Sequence, residues 1–163
     1  MCSSDLHRTD SVNVLDRYVL AKLRSTVETT TSALDSYDLF GACQSLRSFL
    51  DVLTNWYIRR SRDRFWTGEQ EAIDTLHTVL DVFVKVAAPL LPLLSDEVQR
   101  GLNGETGDSV HLADWPDVSG LPVDADLVGA MDLVRDVCSS ALSVRKAHSR
   151  RVRLPLSTLT VAS

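Results

Sequence analysis

Cysteine is scarce in this sequence: Cys2, Cys43 and Cys138 are its three copies. No Cys-x-x-Cys pair occurs, so a zinc site is not expected. An odd count without a secretory signal points to the cytoplasm. Cys43 and Cys138 fall on apolar helix faces, where buried free thiols are expected. Long hydrophobic runs are also missing. The longest lies near Val86 to Leu94; two prolines interrupt it, and it is too short to span a bilayer. There is no Gly-rich phosphate loop and no Gly-x-Ser-x-Gly elbow. Four histidines, His7, His77, His111 and His148, lack a second histidine or a cysteine at metal-ligand spacing. His77 borders an apolar stripe and reads as a core-edge residue. Asp96 and Glu97 sit at a helix start, where the helix dipole accounts for them. No catalytic residue, metal ligand or cofactor site emerges from these residues. Net positive charge is lacking too. At −5, the balance taken alone argues against a phosphate-binding surface.

What is present is helical periodicity. Hydrophobic residues make up 44% and charged residues 24% of 163, as in an ordinary soluble domain. A chain of this length buries roughly 70% of its unfolded surface. Residues 1–11 are polar and without period, and read as a tail or linker. A first helix is expected from Val12 or Asn13, with Leu20, Leu23, Val27, Thr30 and Leu34 at spacings of three and four. A second, capped by Asp38, carries Leu39, Ala42, Cys43, Leu46, Phe49, Leu50, Leu53 and Tyr57 on one face. Continued to Trp66, it is roughly 40 Å long at 1.5 Å per residue, and Thr67-Gly68 stops it. Ile73, Leu76, Leu80, Phe83 and Ala87 mark a third helix that Pro89 ends or kinks. Ser95 caps a short fourth, which ends around Leu102.

Residues 103–123 form a long loop with one ordered piece, Ser109 to Trp115. A fifth helix follows from Asp124 or Asp126, with Leu127, Met131, Val134, Cys138, Ala141 and Arg145 in phase. Val152, Leu154 and Leu156 then alternate as in a strand, despite Pro155. A lone strand lacks a partner, which suggests part of a larger protein. The predicted fold is all-α. An antiparallel helix bundle occupies 12–150, with the long loop and a short β-like C-terminal extension over 151–163.

The basic residues are clustered. Between Arg59 and Arg64 stand four arginines and one acid, Asp63. At 100° per residue, Arg59 and Arg62 point away from the core, while Arg60 and Arg64 fall near the core side. The cluster reads either as a solvated C-terminal turn that suits the helix dipole, or as a phosphate-contacting end. Spacing alone does not choose. Arg145 to Arg153 hold five basic residues, one histidine and no acid, with the same two readings open. Arg59, Arg62, Arg64, Arg145, Lys146, Arg150, Arg151 and Arg153 are the candidate phosphate contacts. Trp115 and Trp66 are candidates for stacking on bases, with packing as the competing reading. Trp56 and Tyr57 read as core and core-edge.

Four segments in order carry a family resemblance. Asn13-Val-Leu-Asp-Arg-Tyr-Val-Leu-Ala-Lys-Leu23 resembles the opening helix of the anticodon-binding domain of the class Ia aminoacyl-tRNA synthetases for isoleucine, valine and leucine. Asn55-Trp-Tyr57 matches the signature of its second helix. Ala88-Pro-Leu-Leu-Pro-Leu-Leu-Ser95 resembles its Ala-Pro-aromatic-x-Pro-aromatic segment, with leucines where aromatics are usual. Ser109-Val-His-Leu-Ala-Asp-Trp-Pro116 resembles the Ser-x-His-x-x-x-Trp-Pro piece that follows. Tyr57-Ile-Arg-Arg-Ser-Arg-Asp-Arg-Phe-Trp66 and Arg151-Val-Arg-Leu-Pro-Leu-Ser157 are most similar to the isoleucyl enzyme in its eukaryote-like form, found also in bacteria.

The resemblance covers roughly residues 12–161. It implies a helical domain that holds the anticodon stem and loop of a tRNA, isoleucine-specific in the leading case. Catalytic and C-terminal regions of the same parent chain are the other implied partners, and no membrane is implied. The His-Ile-Gly-His and Lys-Met-Ser-Lys-Ser signatures of the catalytic domain do not occur here. The resemblance therefore places ATP, Mg2+ and Zn2+ in the parent, and implies that this chain alone is inactive. A valyl or leucyl enzyme is the alternative within the family. A helical protein–protein interaction domain with a basic face is the alternative outside it.

Overall fold

A computed structural model describes residues 8–104 and 108–161. Its helices are α1 (Val14–Asp35), α2 (Leu39–Asp51), α3 (Arg62–Trp66), α4 (Gln70–Ala87), α5 (Pro92–Asn103) and α6 (Ala125–Ala147). A π-helical stretch, Val52–Ile58, follows α2, and a 3-10 turn, Val110–Leu112, follows α5. The result is a helical bundle. Contacts divide the chain into two compact units, one ending at Asp124 and the other starting at Ala125. The division falls well before Arg150.

In the first unit α1 packs along α2 and α4, and α5 packs along α4. Asn13 starts α1: its side chain accepts the Leu15 N–H at 2.9 Å, which satisfies one of the orphan donors of a helix start. Asp38 starts α2 in the same way, accepting the Gly41 N–H at 2.9 Å. A Cβ at Gly41 would press on the Asp38 carboxylate, so any other residue there requires the capping side chain to shift. Leu20, Leu23 and Val27 of α1 meet Leu46 and Phe49 of α2, Leu53 and Tyr57 of the π stretch, and Val79, Phe83 and Val86 of α4. Phe49 and Phe83 stack at 5.5 Å. Full burial contributes about 2 kcal/mol for each such Leu or Phe.

Several sequence expectations are corrected. The long second helix is not continuous. It is α-helical to Asp51, π-helical to Ile58, and bends at Ser61 before α3. Its buried face is also narrower than the apolar pattern. Ala42, Leu46, Phe49, Leu53 and Tyr57 are buried, whereas Leu39, Cys43 and Leu50 are exposed on its flanks. The buried thiol expected at Cys43 is therefore not found, and Cys138 is half-buried. On α4 the reverse holds. Packing against both α1 and α5 buries Ala72, Thr75, Val79, Val82 and Val86 beyond the predicted stripe, and leaves Ile73 exposed.

The fourth helix starts at Pro92 rather than at Ser95, because proline suits the first helical turn. Ser95 is buried within it. Asp96 instead accepts bonds from the Ser109 hydroxyl, at 2.5 Å, and from the Val110 N–H, at 3.1 Å. That pins the ordered piece of the long loop against α5. Residues 8–11 are no loose tail. The Arg8 N–H donates to Thr78 at 2.8 Å, and Ser11 is buried against Asp16 and Glu71. Cys2 and His7 lie outside the described residues.

The second unit holds α6 and the residues after it. Leu127, Met131, Cys138 and Ala141 are in phase on α6, yet none of its residues is buried. The β-like extension is corrected as well. Residues 151–161 form turns, bends and irregular chain, all exposed, and no strand occurs among the described residues. Pro155 has no N–H to give a ladder, and no second strand is present to receive one. No helix among the described residues is long and apolar enough to cross a membrane.

Candidate nucleic-acid interface

Arg59 to Arg64 follow the π stretch directly and run into α3. Ser61, fully buried, lies one turn after Tyr57 and donates its N–H to the Tyr57 carbonyl at 2.9 Å, while Arg60 is exposed. Arg60 then lies over the Trp56 ring at 4.8 Å, a cation–π contact. Arg59 and Arg62 are exposed, and neither has a carboxylate partner among the described residues.

Arg64 behaves differently. Its Nη1 and Nη2 donate to the two oxygens of Asp16 at 2.7 Å each. Nη2 and Nε also reach Glu69, at 2.7 and 2.9 Å. Asp16 is fully buried, and the Arg64 side chain is 15% exposed. Asp16 further accepts the Tyr57 hydroxyl and the Ser11 hydroxyl, each at 2.9 Å. The hydrogen bonds to Asp16 and then Glu69 drive the Arg64 pKa further up, so it is permanently charged. Burial first, and the adjacent Asp16 second, push the Tyr57 hydroxyl well above the ordinary phenol range, so it stays a donor. Arg64, a predicted phosphate contact, is thus consumed as an anchor. A planar guanidinium matches a carboxylate with two parallel bonds, and the buried Asp16 needs that cation.

Trp115 is 41% exposed. Its indole N–H donates to the Thr31 hydroxyl at 3.1 Å, and its ring joins Lys85, Pro89 and His111 around a hollow of about 180 Å³. The second basic cluster belongs to the second unit. Arg145 turns back along the chain and donates to the carbonyls of Arg151, at 3.1 Å, and Leu154. Lys146, Arg150, Arg151 and Arg153 are exposed.

The model of the anticodon-binding domain of tRNA ligases matches residues 16–160. The chain belongs to that family. It is 60% identical over 156 residues to the isoleucine–tRNA ligase of Nocardia farcinica, covering 96% of this chain and 15% of that protein. Against the isoleucine–tRNA ligase of Mycobacterium tuberculosis it is 59% identical over 155 residues, 95% of this chain and 15% of the relative. Against that of Tropheryma whipplei it is 48% identical over 149 residues, 91% of this chain and 14% of the relative. This anticodon-binding domain thus spans about one seventh of the curated relatives it matches. The isoleucyl likeness read from Tyr57–Trp66 and Arg151–Ser157 agrees with these matches.

Two residues that anchor Arg64 escaped sequence reading, Asp16 and Glu69. Asp16 stands between Leu15 and Arg17 with nothing local to mark it as buried. Glu69 lies beyond the glycine stop. Its pairing with Arg64 follows from the Gly68 turn, where φ is +72° and Glu69 N–H returns to the Arg64 carbonyl at 2.9 Å. Trp66, a stacking candidate in the sequence, is 87% exposed. Its signal was its place four residues after Arg62.

Proposed function

We infer that this domain grips the anticodon stem and loop of an isoleucine tRNA, chiefly through phosphates. The supporting observation is the pair Arg59 and Arg62, exposed and without acid partners, on a turn anchored by Asp16 and Arg64. Arginine forks on a rigid base suit phosphate oxygens. Lys146, Arg150, Arg151 and Arg153 extend the set of phosphate contacts, and Trp115 supplies an aromatic edge. The names of the relatives support isoleucine as the cognate amino acid. The domain holds the tRNA while a catalytic domain of the parent chain attaches isoleucine. ATP and Mg2+ serve that step, and Zn2+, like them, belongs to parent regions beyond this chain. The cytoplasm is the compartment where this occurs.

The test is a titration of the 163-residue chain with isoleucine tRNA at several salt concentrations. Affinity should fall steeply as salt rises, because each phosphate contact releases counterions. The variant R59E/R62E should bind more weakly and lower the salt slope by about 2. Unchanged binding by that variant, or equal binding to an unrelated acidic polymer, overturns the reading.

A further inference from the structure

Phosphate contacts leave one outward feature of α3 unused. Trp66, the last residue of the helix, is 87% exposed. Its neighbours face the other way. Phe65 meets Tyr57 edge-on at 6.1 Å, and Arg64 is fixed to Asp16 and Glu69. With positions 64 and 65 turned inward, Arg62 and Trp66, four residues apart, share the outward side. Arg59 lies three residues before Arg62 and is exposed as well. Arg62 and Trp66 thus share one outward side of α3, and Arg59 is exposed just before the Ser61 bend that leads into it.

An indole of this size offers 150–250 Å² of contact area, which the fold here leaves in water. Trp56 shows the contrast, since Arg60 covers its ring. Trp66 carries no such cover among the described residues. Unpaired arginines beside a bare aromatic face match a nucleic-acid strand: phosphates on the cations, a base on the ring. A paired helix stacks its bases on one another and presents no free base face along its length. The ligand must then be an unpaired stretch. An acidic protein segment is less suited, because a carboxylate on either arginine leaves the indole without a flat partner.

We propose that Trp66 is a stacking platform for an unpaired RNA base whose flanking phosphates are held by Arg59 and Arg62. This deepens, and rests on, the tRNA-binding reading above. Asp63 stands on the same short helix and opposes phosphate there.

The experiment uses the full 163-residue chain with two RNAs, isoleucine tRNA and a long duplex without unpaired bases, in which terminal base faces are few against the number of backbone sites. The double variant W56F/W115F leaves Trp66 as the sole tryptophan of the three, and its fluorescence should be quenched in step with tRNA binding. Trp66→Ala should weaken tRNA binding about 10-fold, with an unchanged salt slope because no phosphate contact is lost. Trp66→Phe should retain most of the affinity, and duplex binding should not change in either variant. If Trp66→Ala binds tRNA like the parent while R59E/R62E does not, stacking is overturned and the phosphate reading stands. Equal losses by Trp66→Ala for tRNA and duplex also overturn stacking. If neither variant changes tRNA binding, both ideas fall.

Discussion

The two basic clusters have similar composition and different foundations. In the first, Arg64 is spent on a fully buried carboxylate, and the helix end that carries Arg59, Arg60 and Arg62 is fastened to the core through it. In the second, Arg145 folds back onto the carbonyls of Arg151 and Leu154, in a unit whose helix buries no residue. One cluster is anchored to a buried acid. The other is a charged surface on a lightly supported chain. A run of arginines does not by itself say which of these it is. The presence or absence of an acid deep in a neighbouring helix does.

Removing the anchors should separate the two most strongly. Arg64→Ala leaves Asp16 buried without its cation, and should cost about 3–5 kcal/mol in urea unfolding of the first unit. Arg145→Ala removes only bonds to backbone carbonyls and should cost about 1 kcal/mol or less. Similar losses for the two would erase the distinction.

A smaller effect concerns the loop clasp, which the second unit lacks. The Ser109 hydroxyl first, then the Val110 N–H, hold the Asp96 carboxyl below its ordinary 3.8. Near and below that value the unfolded chain binds the proton more readily than the folded one, so stability rises with pH there. The clasp's contribution is complete above the ordinary value and disappears as pH falls through the lower folded one. Ser109→Ala should move the Asp96 titration up towards 3.8, read by carboxyl NMR. An unmoved titration would assign the shift to another group.

The smallest effect uses a motif the units share. α1 closes with Tyr37 at φ 58° and α6 with Ser149 at φ 52°, each followed by the paired bonds of a Schellman ending. Tyr37→Gly should stabilise the first unit by about 0.5–1 kcal/mol, as the left-handed cost is relieved and partly offset by greater unfolded freedom. Ser149→Gly should raise α6 helicity and leave the melting of the first unit unchanged. A shift there would mean that the two units unfold together.

Much of the fold was legible because periodicity reports local geometry. Leu20, Leu23, Val27 and Thr30 of α1 are in phase and lie on its inner side, and the Asp38 cap and Gly68 stop fall where expected. The misses have a common cause. Leu39, Cys43 and Leu50 are apolar enough for a core, but only partners decide which part of a broad stripe is covered. Val79, Val82 and Val86 became core because α4 has neighbours on two sides. The π stretch has no composition of its own, and Arg60, which ideal helical phase places near the core side, is exposed after it. At the interface, Arg59 and Arg62 were legible as outward residues. Arg64 was misread because its partner, Asp16, belongs to another helix.

That partnership has a consequence for assembly. Arg64 and Asp16 are 48 residues apart in sequence, so the pair closes only after α1, α2 and the π stretch have come together. Closing a loop of that length carries an entropic cost before any contact rewards it. The display of Arg59 and Arg62 is therefore not a property of the helix that bears them. It comes into being late, as a product of tertiary folding, and a chain still being synthesised has the arginines well before it has the surface.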